Sequence, residues 1–116
     1  MTVYVVQDTK TVDPKDGVLK PKFDFTPALE HGELSFLLSP NASPFNLPPV
    51  IEELHERLSD FNDEDFLLLV GSPVLLGLCV AIAADFNDGR VGMLQWSGAK
   101  RAYIPVRAED IFVDCA

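Results

Sequence analysis

The stretch FLLLVGSPVLLGLCVAIAAD, residues 66–85, decides the fold. Its first five residues are apolar without alternation, a pattern typical of a strand that is covered on both faces of its sheet. Gly71 ends this run, Ser72 suits a helix N-cap, and Pro73 suits the first helical position, where its missing N–H costs little. The sequence therefore predicts a buried strand, a tight turn and a helix over 73–85.

The predicted helix 73–85 has no polar residue before Asp85, so none of its sides has the polar residues expected of a solvent-exposed surface. A helix that is apolar all round is buried on every side or spans a membrane. A membrane span is disfavoured because Gly-Ser-Pro interrupts the apolar run and acidic residues, rather than Lys or Arg, flank it. Either the N-terminal arm and the C-terminal tail cover the helix, or two copies bury it against each other. The few residues left for a covering layer favour a homodimer through helix 73–85.

The composition indicates one acidic globular domain. The 116 residues can bury about 60–70% of the unfolded surface, and 47% hydrophobic residues exclude a disordered chain. The formal net charge of -9 argues against direct nucleic-acid binding, which needs a basic surface. Residues 1–20 contain no apolar segment of signal-peptide length, so a cytosolic location is expected. The two cysteines match neither a disulfide framework nor a zinc site.

Further strands and helices flank the central stretch. We expect a small Rossmann-like α/β sandwich with a mostly parallel sheet of about five strands, two main helices and a C-terminal antiparallel hairpin. A turn at 13–17 predicts a hairpin or arm containing Val18 and Leu19. In chain order, the other expected elements are strands at 3–6, 33–38, 66–70, 91–96 and 101–106, a short helical turn at 26–30 and a surface helix at 47–59.

The chain is expected to form a single domain with three parts. Residues 1–32 form the first strand and an extended arm, residues 33–96 form a βαβαβ core, and residues 97–116 form the last hairpin strand and a tail. Right-handed crossovers are expected for the two βαβ units of the core.

The turn Gly71-Ser72 is the first candidate site. It places a helix N-terminus at the carboxyl end of a parallel strand, where anions and nucleotides bind in many α/β proteins. The turn lacks the GxGxxG and GxxxxGK[ST] motifs, and Pro73 removes one N–H donor. A plain tight turn is therefore the favoured interpretation, and an anion or nucleotide site is the alternative.

Acidic residues are concentrated between residues 52 and 65, a segment that contains seven carboxylates and one basic residue, Arg57. Such a surface can bind a basic protein partner or mimic the phosphates of DNA. The simpler alternative is a solvated helix face followed by a polar loop. The candidate partner-binding residues are Glu52, Glu53, Glu56, Asp60, Asp63, Glu64 and Asp65.

No residue pattern indicates catalysis or a metal site. The segment from Asp60 begins like a calcium loop but has Asp65 where glycine is needed. His31 and His55 are isolated histidines, and Cys79 lies within an apolar helix, which is more typical of a core residue than of a nucleophile. We therefore predict no metal, no cofactor and no enzymatic activity.

The hairpin at the end of the chain holds one aromatic and basic cluster. It consists of Trp96, Lys100, Arg101 and Tyr103. We interpret these side chains as packing residues around a turn.

Several segments resemble a group of small uncharacterised proteins encoded by tailed phages and bacterial prophages. They are LLLVGSP, AIAAD, a Gly-Arg turn, a strand ending in Trp, YIPV, VYVVQD and FDFTPALEHGEL, which together span most of the chain. The turn of the group tends to be Gly-Asp-Pro, where this chain has Gly-Ser-Pro. The resemblance implies the cytoplasm of an infected bacterium, and it carries over no catalytic or binding residue.

The leading hypothesis is a non-enzymatic phage accessory protein that binds a host or phage protein through the acidic surface. One alternative is a small-ligand or nucleotide-binding Rossmann-like module that uses Gly71 and Ser72. A second alternative is a dimeric structural component of the virion.

Overall fold

The computed structural model describes residues 1–7, 10–12, 14–15, 17, 19–21 and 25–112. The predicted α/β architecture is confirmed, with a five-stranded main sheet that is parallel except for its last strand. In chain order, the elements are β1 (Thr2–Gln7), β2 (Lys10–Val12), β3 (Leu19–Pro21), a 3-10 helix (Thr26–His31), β4 (Glu33–Leu38), α1 (Leu47–Arg57), β5 (Phe66–Leu68), α2 (Pro73–Phe86), β6 (Val91–Ser97) and β7 (Ala102–Ala108).

The main-sheet strands lie in the order β4-β1-β5-β6-β7. β1, which was expected to lead into an arm, lies inside the sheet and pairs in parallel with both β4 and β5. After β1, the chain forms β4 on one side of β1 and then crosses to the other side of β1 to form β5. The direction in which strands are added to the sheet therefore reverses at β1. When the main-sheet strands are numbered along the chain, this is the doubly wound order 2-1-3-4-5.

The two α-helices pack on one face of the sheet and the 3-10 helix packs on the other. The connections from β4 to β5 and from β5 to β6 run in the same direction, whereas the connection from β1 to β4 runs in the opposite direction. Right-handed crossovers therefore place the two sets of connections on opposite faces. The helix-side core includes Val6, Leu37, Leu54, Leu67, Leu75 and Cys79, and the opposite core includes Val3, Val5, Phe25, Ala28, Phe66 and Tyr103.

β5 is shorter than the predicted strand 66–70. The N–H of Val70 donates to the carbonyl of Leu68 at 3.0 Å, which forms a three-residue turn, and the N–H of Gln7 donates to the carbonyl of Val70 at 3.0 Å. The chain therefore bends towards β1 and away from β6. The pairing of β5 with β6 ends at Leu94, although β6 continues to Ser97. A gap opens between the two strands at their carboxyl ends.

Helix α2 is buried on one side only. Leu75, Cys79 and Ala83 are buried, whereas Val74 is 48% exposed and Ala81 is also exposed. The expectation that the N-terminal arm or the tail covers this second side is not met by the residues that the structure describes. Within those residues, no helix is long and apolar enough to cross a membrane.

The predicted hairpin near the N-terminus is present as a separate sheet, in which β2 and β3 pair only with each other. The main chain of the tail returns to the body at Ile111, whose N–H donates to the carbonyl of Gly89 at 3.2 Å. Val18 of the predicted arm and residues 113–116 of the predicted tail lie outside the described residues.

Candidate functional site

A groove of about 890 Å³ lies at the carboxyl ends of the parallel strands, beside the gap between β5 and β6. We call it the switch-point groove, because it adjoins the point at which the strand order reverses. This crevice is the usual ligand position in doubly wound sheets. The groove is lined by Gln7, Pro27, Leu68, Leu69, Val70, Gly71, Ser72, Met93, Leu94, Gln95, Trp96, Tyr103 and Val106. The predicted Gly71-Ser72 turn therefore forms part of a real concavity.

The side chain of Gln7 connects three segments beside the Gly71-Ser72 turn. The side chain is 8% exposed, and its Oε1 accepts a hydrogen bond from the N–H of Ser72 at 3.2 Å. Its Nε2 donates to the carbonyls of Ser39 and Ala42 at 3.4 and 3.3 Å. The side chain thereby joins β1, the loop after β4 and the start of α2.

Gly71 is required where the chain passes Gln7. Its φ of +138° is rare for residues with a side chain, and a Cβ at this position would lie 2.7 Å from both Cβ and Oε1 of Gln7. The glycine identified in the sequence thus reflects a close approach between the turn and a side chain. It does not by itself indicate a ligand.

The start of α2 suits an anion poorly. The N–H of Ser72 is bonded to Gln7, and proline at position 73 has no N–H. Ser72 is the N-cap residue, as predicted, but its hydroxyl makes no capping hydrogen bond. Among the residues that the structure describes, the lining of the groove includes no Lys, Arg or His. A phosphate in the groove would therefore lack both a counter-charge and the first N–H donor of the helix.

Two aromatic side chains form the wall of the groove on the β6–β7 hairpin. Trp96 and Tyr103 are directly opposite each other in the strand register, with ring centroids 5.0 Å apart in an edge-to-face arrangement. Tyr103 is buried, whereas Trp96 is 44% exposed. The hairpin aromatics do pack together, as predicted. The sequence contained no signal that they also border a groove, because its other wall comes from β1, β5 and the 3-10 helix.

The acidic surface predicted from the sequence begins on the exposed side of α1. Glu52 and Glu56 are exposed one helical turn apart, while Glu53 accepts a hydrogen bond from Nε of Arg57 at 3.1 Å. These residues line a shallow depression of about 480 Å³ together with Pro49. Asp60 is exposed just beyond the helix.

Two carboxylates of the following loop have structural partners. Asp65 is buried, with its two oxygens accepting hydrogen bonds from the N–H of Thr2 at 3.0 Å and of Asn62 at 3.2 Å. Asp63 accepts hydrogen bonds from Asn87 and Arg90 at 2.9 and 3.0 Å, and these bonds hold its pKa below the usual value.

Asp65 therefore cannot contact a partner in this conformation, which corrects its assignment to the partner-binding surface. We define the acidic face as the remaining six residues, all on the surface: Glu52, Glu53, Glu56, Asp60, Asp63 and Glu64.

The other reactive side chains have structural surroundings. Cys79 is fully buried, and burial raises its pKa to about 12, so it is a neutral thiol near neutral pH. His31 Nε2 lies 2.9 Å from the carbonyl oxygen of Tyr103, and the ring of His55 packs edge-on against Phe86. In the part of the chain that the structure describes, no three His, Cys, Asp or Glu residues are placed to hold a metal ion.

Comparison with protein-family models matches residues 1–110 to the family described as Phage Pam3 gp32-like protein. Neither the curated proteins nor the solved structures contain a match. The family match covers all strands of the main sheet and both α-helices, and it includes both the switch-point groove and the acidic face.

Proposed function

The chain belongs to the Phage Pam3 gp32-like protein family, and from that premise we propose that it is a non-enzymatic phage accessory protein that binds a host or phage protein. We place the interface on the acidic face and the site of action in the cytoplasm of the infected bacterium. The burial of Cys79 and the structural roles of His31 and His55 support a function in binding rather than in catalysis.

The observation that carries this proposal is the pair Glu52 and Glu56. The two exposed carboxylates lie at positions i and i+4 of α1, where like charges destabilise a helix by a few tenths of a kcal/mol. The neighbouring Arg57 is engaged by Glu53 instead. A cationic partner would relieve this repulsion when it binds.

A basic protein surface is the partner that this charge pattern fits. Complementary charges speed up the encounter of two proteins and exclude partners of the same sign, and their effect weakens as salt screens them. The whole chain has a net charge of -9, which adds a long-range attraction between the protein and a basic partner.

The test is an affinity pull-down from a lysate of the infected bacterium at low and at moderate salt, with identification and stoichiometry by native mass spectrometry. We expect wild-type protein to retain one basic partner at low salt and to release it as salt rises. The double variant Glu52→Lys/Glu56→Lys should lose the same partner, because it replaces attraction by repulsion.

A matched control reverses two exposed carboxylates away from the acidic face and from α2, at Glu30 and Glu33. Glu30→Lys/Glu33→Lys changes the net charge by the same amount and should retain the partner. Capture that is unaffected by salt, or equal capture by both double variants, would rule out the acidic face as the interface.

We also propose a homodimer through α2, because the open side of this helix is apolar. Val74 is 48% exposed, Gly77 and Ala81 are exposed, and Phe86 at the end of the helix is 38% exposed. No charged residue interrupts the helix before Asp85. A self-complementary contact between two such sides would remove this apolar surface from water.

A further inference from the structure

We propose that the switch-point groove binds a neutral, planar heterocyclic molecule. This site is separate from the acidic face on α1, and its ligand is a small molecule instead of a protein. The proposal does not depend on the protein-binding function.

Charge selects the ligand class. The chain has 18 Asp and Glu among its 116 residues, yet none of the described residues that line the groove carries a charge at neutral pH. A charged group that entered the groove would lose hydration without gaining a partner of opposite charge. The groove therefore disfavours nucleotides, whose phosphates need cations or free N–H donors, and favours a neutral molecule.

The shape and composition of the walls select a flat ring. Val70, Met93 and Val106 supply apolar surface, and Trp96 is 44% exposed. Aromatic side chains bind flat rings by stacking or by edge-to-face contact. The volume of about 890 Å³ falls within the range of small-molecule sites.

Main-chain groups supply the polar contacts. β6 continues beyond Leu94, but no described strand pairs with it on the β5 side there, so the peptide groups around Gln95 border the groove, while the carbonyl of Trp96 accepts from Nε2 of Gln95 at 3.3 Å. A heterocycle with donors and acceptors on its edge can bond to such groups, as a neighbouring strand would. Gln7 is less suited to this role, because both ends of its side-chain amide already have partners.

A purine nucleoside combines these properties, since it is uncharged, planar and polar along its edge. We therefore use adenosine as the probe and adenosine monophosphate as the charged counterpart. Trp96 is the only tryptophan of the chain, so its fluorescence reports directly on the groove.

The experiment is a fluorescence titration of the purified full-length protein with each compound, excited at wavelengths that adenosine does not absorb. We expect a saturable change in Trp96 emission with adenosine and at least tenfold weaker binding of the monophosphate. The absence of a saturable response to adenosine, or equal affinity for the monophosphate, would overturn the proposal.

Two exposed apolar side chains provide matched variants. Val106 lines the groove and is 46% exposed, whereas Phe45 is outside the lining and is 96% exposed. Val106→Arg should raise the Kd for adenosine at least tenfold, and Phe45→Arg should leave it unchanged. Equal binding by both variants would place the ligand elsewhere and overturn the assignment.

Discussion

Gln7 shows how a single buried amide can join segments that are distant in sequence. Its oxygen accepts from Ser72 and its nitrogen donates to Ser39 and Ala42, so all three contacts use main-chain groups. A side chain in this position must supply both a donor and an acceptor. Gln7 is 8% exposed, so water cannot easily replace any of these bonds.

We predict that Gln7→Ala lowers the free energy of unfolding by about 1–3 kcal/mol, because a buried side chain loses three hydrogen bonds that join distant segments. Urea denaturation followed by circular dichroism measures the change. Gln95→Ala is the control: Gln95 is exposed and makes one side-chain hydrogen bond, to the carbonyl of Trp96 at 3.3 Å.

The control should change stability by less than about 0.5 kcal/mol, as is usual for surface positions. Similar losses for both glutamine variants would show that the contacts of Gln7 do not stabilise the turn.

At the scale of the element, the β5 to α2 unit contains two glycines with different constraints. A Cβ at Gly71 would collide with Gln7, and the backbone there has positive φ. A Cβ at Gly77, on the open side of α2, would meet no atom within 4 Å. The first glycine is required by tertiary contact, while the second only lowers the helix propensity of α2.

Substitution by alanine should therefore have opposite effects at the two positions. Gly77→Ala should raise the free energy of unfolding by about 0.5–1 kcal/mol, the difference in helix propensity. Gly71→Ala should lower it by about 1–3 kcal/mol, because alanine is strained at this φ and displaces Gln7. Chemical denaturation at protein concentrations too low for dimerisation gives both signs, and a loss of stability for Gly77→Ala under those conditions would contradict the argument from helix propensity.

At the scale of the whole molecule, the open side of α2 is an apolar surface that the described residues leave uncovered. Ala81 on this side is exposed, and Val74 in the first turn of α2 is 48% exposed. A single chain of this size has few residues left to cover a second side of the helix. Self-association is the proposed consequence.

We predict that wild-type protein is a dimer and that Ala81→Lys weakens dimerisation at least tenfold, because a buried lysine charge would face its own copy. Native mass spectrometry and light scattering over a range of concentrations measure the association. Ala99→Lys makes the same substitution in the exposed turn between β6 and β7 and should leave the dimer intact.

A wild-type monomer at all concentrations would remove the dimer proposal. Dissociation by both lysine variants would place the contact elsewhere than on α2.

The class of fold and most of its elements could be predicted from the sequence alone. The expected strand at 33–38 coincides with β4, and the expected helix at 73–85 differs from α2 by one residue at its end. Such elements are encoded locally, by runs of apolar residues and by the Gly, Ser and Pro residues that end them. The concentration of carboxylates at 52–65 is likewise a property of the sequence alone.

The arrangement of these elements and the groove between them depend on contacts between distant parts of the chain. The tertiary structure placed β1 between β4 and β5, which created the switch-point groove, and it buried Asp65 among main-chain N–H groups. It also set Trp96 and Tyr103 in a wall opposite the turn at Gly71. The physical reason is that strand pairing and side-chain burial depend on residues far apart along the chain, and local patterns carry no information about which distant partner will meet them.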